Sequence, residues 1–240
     1  MRLFTKAEWV ILVLLFSFSF IPVFAGLLRI LEISGGPAII PENPRVTANP
    51  FPTVIHILSA FIFCIFGAFQ FLSSIHRYTP KWHRVNGGIV ASAGIILAIS
   101  GLWMTHFYPL PIELQGNLLY FVRIVLGTAM IVYISIGLTT VRNKRLVLHY
   151  SSMIRAYAIG QGASTQSLLG LAWIVLLRQE PIGLTRDLMM TAAWIINIII
   201  AEWVIRKLNE RPKPNQAKRR AIGKPRINGT LTKPTVHAGA

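Results

Sequence analysis

Five polar side chains interrupt stretches that are otherwise apolar: His56, His83, Arg123, His149 and Gln166. Two of them head stripes of small residues at helical spacing. From His83 one face carries Gly87, Ala91, Gly94, Ala98 and Gly101; from His149 it carries Met153, Ala156, Gly160, Ala163, Ser167 and Gly170. Such stripes let helices approach closely, and they would equally leave room for a flat cofactor between helices. His56, Arg123 and Gln166, with Thr165, fall at a common depth nearer the opposite ends of their segments. There an imidazole, a guanidinium and a carboxamide could hydrogen-bond one ligand. An arginine that meets lipid costs about 2.5–3.5 kcal/mol, so Arg123 needs a polar neighbour or a route along its stem to the interface.

The element that must position most of these groups is His149 to Trp173, HYSSMIRAYAIGQGASTQSLLGLAW. It is long enough to cross a membrane yet carries Arg155, Gln161, Ser164, Thr165, Gln166 and Ser167. Hydrocarbon offers these groups no hydrogen-bond partner, so the helix belongs inside a bundle. Helical phase gives it two faces: the small stripe led by His149, directed at His83, and a second through Arg155, Gly162 and Gln166, directed at Arg123 and His56.

The rest of the chain supports a membrane reading. Of 240 residues 53% are hydrophobic and only 13% charged, about half the charged share of a soluble domain. The predicted fold class is an all-α polytopic membrane protein with six transmembrane helices near 9–31, 53–74, 87–106, 117–140, 152–177 and 188–205, the second to fifth forming a four-helix core. The expected organisation is an N-terminal helix (1–33), an irregular external loop rich in Gly and Pro (34–51), the core (52–177), an external loop and sixth helix (178–205), and a basic disordered tail (206–240). Val23-Phe24-Ala25 resembles a signal-peptidase site, but the apolar run between Lys6 and Arg29 exceeds a signal core, so a retained helix is expected.

The net charge of +16 suggests nucleic acid until its placement is considered. With the N-terminus in the cytoplasm, nineteen of the twenty-four Lys and Arg fall on the inner side, ten of them from Arg206 to Lys233. That asymmetry predicts both termini in the cytoplasm, a multi-pass protein of the inner plasma membrane, and no nucleic-acid partner. The tail could attract anionic lipids, at about 1 kcal/mol per basic residue near the surface, or serve only to fix orientation. Cys64, the single cysteine, excludes an intrachain disulfide. No HExxH, Walker, GxSxG or CxxC pattern occurs, and Gly160-Gln161-Gly162 falls inside a helix rather than at a phosphate loop. Segments two and three resemble four and five as parallel hairpins, a weak internal repeat.

Several runs carry a resemblance: HILSAFIFCIFGAFQ (56–70), WHRVNG (82–87), SGLWMT (100–105), RIVLG (123–127) and HYSSMIRAYAIGQGASTQ (149–166). Over roughly residues 50–176 the chain resembles bacterial predicted membrane proteins of domain-of-unknown-function family 2306. The resemblance implies a helical membrane fold and candidate positions rather than a reaction. Ser152 and Tyr150 depart from the expected pattern at the inner end of the fifth segment. More distantly, the arrangement is similar to two-haem membrane cytochromes b, which implies a b-type haem with His83 and His149 as axial metal ligands. Segment four offers no histidine opposite His56, where Arg123 stands instead.

Two functional classes follow. One is redox: haem b at His83 and His149, or a quinone hydrogen-bonded by His56, Arg123 and Gln166. The other is a non-enzymatic scaffold, assembly or lipid-binding subunit whose polar fifth helix meets a membrane-protein partner. A transporter is disfavoured, because no acid lies deep in a span.

Overall fold

The computed structural model describes residues 4–39 and 43–210, and among these every regular element is helical. Helix α1 (Lys6–Ile33) begins with a capping box in which Thr5 and Glu8 satisfy each other's backbone donors. The connection that follows contains a short helix, α2 (Pro44–Ala48), and α3 (Pro50–Phe61) starts at once behind it. Both open on a proline, whose missing N–H is one that a first helical turn leaves unpaired anyway. Helix α3 continues through a π-helical turn (Ile62–Phe66) and a 3-10 turn (Phe69–Phe71) into the short α4 (Ser73–Tyr78). Then come α5 (Pro80–Phe107), α6 (Asn117–Arg142), α7 (Leu146–Gly160), α8 (Gly162–Leu177) and α9 (Gly183–Glu210).

Five stretches are long and apolar enough to cross a membrane: α1, Pro50–Phe71, α5, α6 and α9. The continuous helix expected over 152–177 is instead two helices meeting at Gln161. At 15 and 16 residues each is shorter than the bilayer core, so the expected six single-helix spans become five plus a broken pair. Gly160-Gln161-Gly162 is thus a helix junction, not a helix interior. Helix α9 begins earlier than the expected 188 and runs past 205.

Residues through Ile205 form one unit. Its largest buried apolar cluster is drawn from the π-turn, α5, α6 and α7, with Phe63 and Ile134 at 1% and 0% exposure. A smaller cluster, Leu12, Ala68, Leu72 and Ile75, joins α1 to the end of the second stretch. There the Glu8 carboxylate accepts from Ser74 N at 2.7 Å and Ser74 Oγ at 2.6 Å. The second unit begins at Arg206, and its described part is the helical end of α9. The expected disordered, lipid-attracting tail lies outside the described residues from 211 onward. The helices alternate in direction, so the turns at Thr79 and Asn143–Arg145 mark one end of the bundle. The connection through Tyr108 marks the other.

Candidate functional site

The site is built from the second stretch outward. Residue His56 on α3 faces Ser100 on α5, with Nδ1 and Oγ 3.1 Å apart. The Ser100 hydroxyl has one proton, which it donates to the carbonyls of Ile96 (2.7 Å) and Leu97 (3.1 Å). Its oxygen therefore accepts from His56 Nδ1–H, and Nε2 is left as the acceptor nitrogen, with no partner among the described residues. Residue Arg123 on α6 donates to Gln115 Oε1, and Gln115 Nε2 donates to the Thr105 carbonyl at 3.1 Å. Residue Gln166 on α8 donates through Nε2 to Met190 O at 3.2 Å. His56, Arg123 and Gln166 line one cavity of about 380 Å³ at the Tyr108 end, with Gly160 and Trp194 among its deeper walls.

Thr165 does not join them: its hydroxyl donates to Asn197 Oδ1 at 2.6 Å. Arg155 also leaves that group. It forms a two-pronged pair with Glu202, at 2.5 and 2.9 Å, and lies over the Tyr133 ring. Gly162 packs against Trp194. The face through Arg155, Gly162 and Gln166 thus turns mainly to α9, and only Gln166 reaches the cavity. Arg123 is held by Gln115 rather than snorkelling free.

The cavity mouth is braced by one chain of bonds. Tyr108 Oη donates to Asn49 O at 2.7 Å and stands 2.7 Å from Thr53 Oγ1, tying the α2–α3 corner to the end of α5. Residue Arg45 on α2 also lines the cavity.

Beneath it, two backbone irregularities meet. The π-turn releases carbonyls in mid-helix; Cys64 O accepts from Tyr157 Oη at 2.8 Å and Phe66 O from Asn86 Nδ2 at 3.0 Å. The junction at Gln161 releases two more. Ala158 O accepts from Asn197 Nδ2 and Ile159 O from Trp194 Nε1, both at 3.1 Å. Gln161 joins the two breaks: its Nε2 donates to Tyr157 Oη and Ser19 Oγ, both at 2.9 Å, and its Oε1 accepts from Ser164 at 2.7 Å. These four carbonyls are each satisfied by a side chain of another helix, as a low-dielectric interior requires.

The histidines at the Thr79 end are arranged differently. His149 Nδ1 lies 2.8 Å from Gly137 O and so carries the proton. The His83 ring packs edge-on to His76 with centroids 5.0 Å apart, and its Nδ1 is buried without a partner. The stripes below them are closed. The Phe63 ring lies between Gly94 and Gly160, where a Cβ on either glycine would collide with it. Gly137 and Gly101 are likewise covered by Met153 and His56. A flat group lying between these two glycines would have to displace Phe63. Among the described residues no group of three or more His, Cys, Asp or Glu could hold a metal ion.

Sequence reasoning passed over Asp187, Trp194 and Asn197. Asp187, 2% exposed, accepts from the backbone N–H groups of Gly116 (3.1 Å) and Leu119 (3.2 Å), capping α6 from another helix. With Ala201 and Ile205 these residues follow one helical face of α9, a periodicity that the sequence carries in the spacing of its polar residues.

Fold and site together define a multi-pass helical membrane protein with a largely apolar cavity, into which a few polar side chains converge, at one end of its bundle. The chain belongs to the family described as predicted membrane protein, DUF2306, which matches residues 53–205. No curated protein and no solved structure matches it.

Proposed function

We propose that the protein binds a lipid-soluble small molecule in the Tyr108-end cavity, with the ligand's polar head among His56, Arg123 and Gln166. The observation that carries this reading is the convergence of these three residues, from α3, α6 and α8, on one cavity in which His56 Nε2 has no hydrogen-bond partner among the described residues. A quinone is the redox form of the reading. Its carbonyl oxygens would accept from the Arg123 guanidinium and the Gln166 amide, while the imidazole could exchange a proton with the head. The scaffold alternative is weakened because the polar groups that motivated it have partners within the chain: Gln161, Ser164, Thr165, Gln166 and Ser167 all form intrachain bonds.

In this reading α7 and α8 together make the sixth crossing, both termini are cytoplasmic, the protein sits in the inner plasma membrane, and the cavity opens toward the outer leaflet. The basic tail then lies beside anionic cytoplasmic lipids. Lipid extraction and mass spectrometry of the purified protein test the binding. A lipid-soluble molecule is expected at near one per chain, reduced at least tenfold by His56→Leu and by the cavity-filling Ala163→Phe. Recovery of bulk lipid alone, unchanged in both variants, defeats the proposal.

A further inference from the structure

Among the described residues the cavity wall carries two positive charges and no negative one. Arg45 lines it from α2, half-buried and without a hydrogen-bond or ion-pair partner among the described residues. Arg123 lines it from α6, and its one side-chain hydrogen bond goes to the neutral Gln115. No Asp or Glu is among the described lining residues. Asp187, whose negative charge acts on Arg123, has both carboxylate oxygens committed to the start of α6. Two arginines facing one partly dry space, with Asp187 already committed to the start of α6 and no acid among the described lining residues, favour a ligand that brings negative charge, because guanidinium keeps its proton under all ordinary conditions.

Charge and apolar surface are also segregated along the cavity. Arg45 stands on the short helix at the mouth. Arg123 follows about 9 Å from the start of α6, six residues at the helical rise. Met130, seven residues further along the same helix and so about 10 Å deeper, marks the apolar region with Leu126 and Ile159. A head at the arginines and a chain toward Met130 would lie as an amphiphile lies in that half of a bilayer.

Resting on the binding reading above, we infer that the ligand is an amphiphile with an oxyanion head, a phosphate or carboxylate, gripped between Arg45 and Arg123. Guanidinium forks match the paired oxygens of either head, and a bond between two charged groups is about twice as strong as a neutral one. A neutral head brings no charge to either guanidinium, so an oxyanion is preferred to a quinone of equal chain length.

The test uses the full-length protein in phosphatidylcholine nanodiscs, with binding measured for dodecyl phosphate, dodecanoate, dodecanol, decylubiquinone and inorganic phosphate. Dodecyl phosphate and dodecanoate are expected to bind at least tenfold more tightly than dodecanol or decylubiquinone. Arg45→Gln should remove most of that preference while leaving dodecanol binding unchanged, and Arg45→Lys should restore much of it. Both variants should retain the thermal stability of the parent. Equal affinity for charged and neutral probes, with Arg45→Gln indifferent, overturns the charge inference and leaves amphiphile binding standing. Inorganic phosphate as tight as dodecyl phosphate assigns the site to a free anion and overturns the lipid part. If no chain-bearing probe binds, both readings fall.

Discussion

At the scale of single residues, Phe63 has the most consequence. Its ring sits at 1% exposure between the glycines of α5 and α7, and its chain neighbour Cys64 offers the carbonyl that Tyr157 grips. One phenyl group thus closes the slot that the two small-residue stripes would otherwise leave. Phe63→Ala should lower stability by about 3 kcal/mol, the low end of the usual range, because lipid is itself apolar and mainly the packing is lost. Thermal unfolding in detergent measures this, and a loss under 1 kcal/mol would mean that the ring is not the wedge described here. The stripes were legible in the sequence from their spacing. What fills them was not, because Phe63 belongs to a third segment whose phase is shifted by the π-turn.

Between elements, α9 is the informative case. It is fastened to the bundle by polar side chains: Asp187 on α6, Trp194 and Asn197 on the α7–α8 junction, Glu202 on Arg155. Membrane helices gain little from burying apolar surface against one another, so such bonds, at about 0.6 kcal/mol each, carry much of the docking. Asp187→Ala removes an N-cap, worth about 1 kcal/mol; Asn197→Leu removes two bonds, worth together about 1 kcal/mol. The two positions are about 15 Å apart along the helix, so the losses should add in the double variant. Unfolding of the single and double variants checks this, and a double no less stable than the worse single would show that α9 detaches as one piece.

For the whole molecule, the prediction concerns topology. Native Cys64 is buried at 6% exposure and should be silent to a membrane-impermeant maleimide. In intact cells Gln179→Cys, in the α8–α9 connection, should be labelled, and Lys144→Cys, in the α6–α7 turn, should label only after the membrane is opened. The reverse pattern would invert the protein and place the cavity in the inner leaflet. Arg178 and Lys144, which end α8 and the α6–α7 turn, both take left-handed backbone conformations, with φ of 57° and 58°. These tight stops keep the connections short and hold the helices antiparallel.

The sequence by itself determined that this chain lives in a membrane, roughly where its long apolar stretches lie, and that Arg123, His56 and Gln166 could face one space. Those properties depend on local composition, because hydrocarbon penalises each unpaired polar group wherever it falls. Only the tertiary structure decided that Gln161 breaks its helix, that the Arg155 face meets α9, and that Asp187 caps α6. Each depends on which distant side chain supplies the missing partner. Ser19 lies 142 residues from Gln161, and Asn197 lies 39 from the Ala158 carbonyl it satisfies. No local period encodes such pairings; they exist once the helices stand side by side.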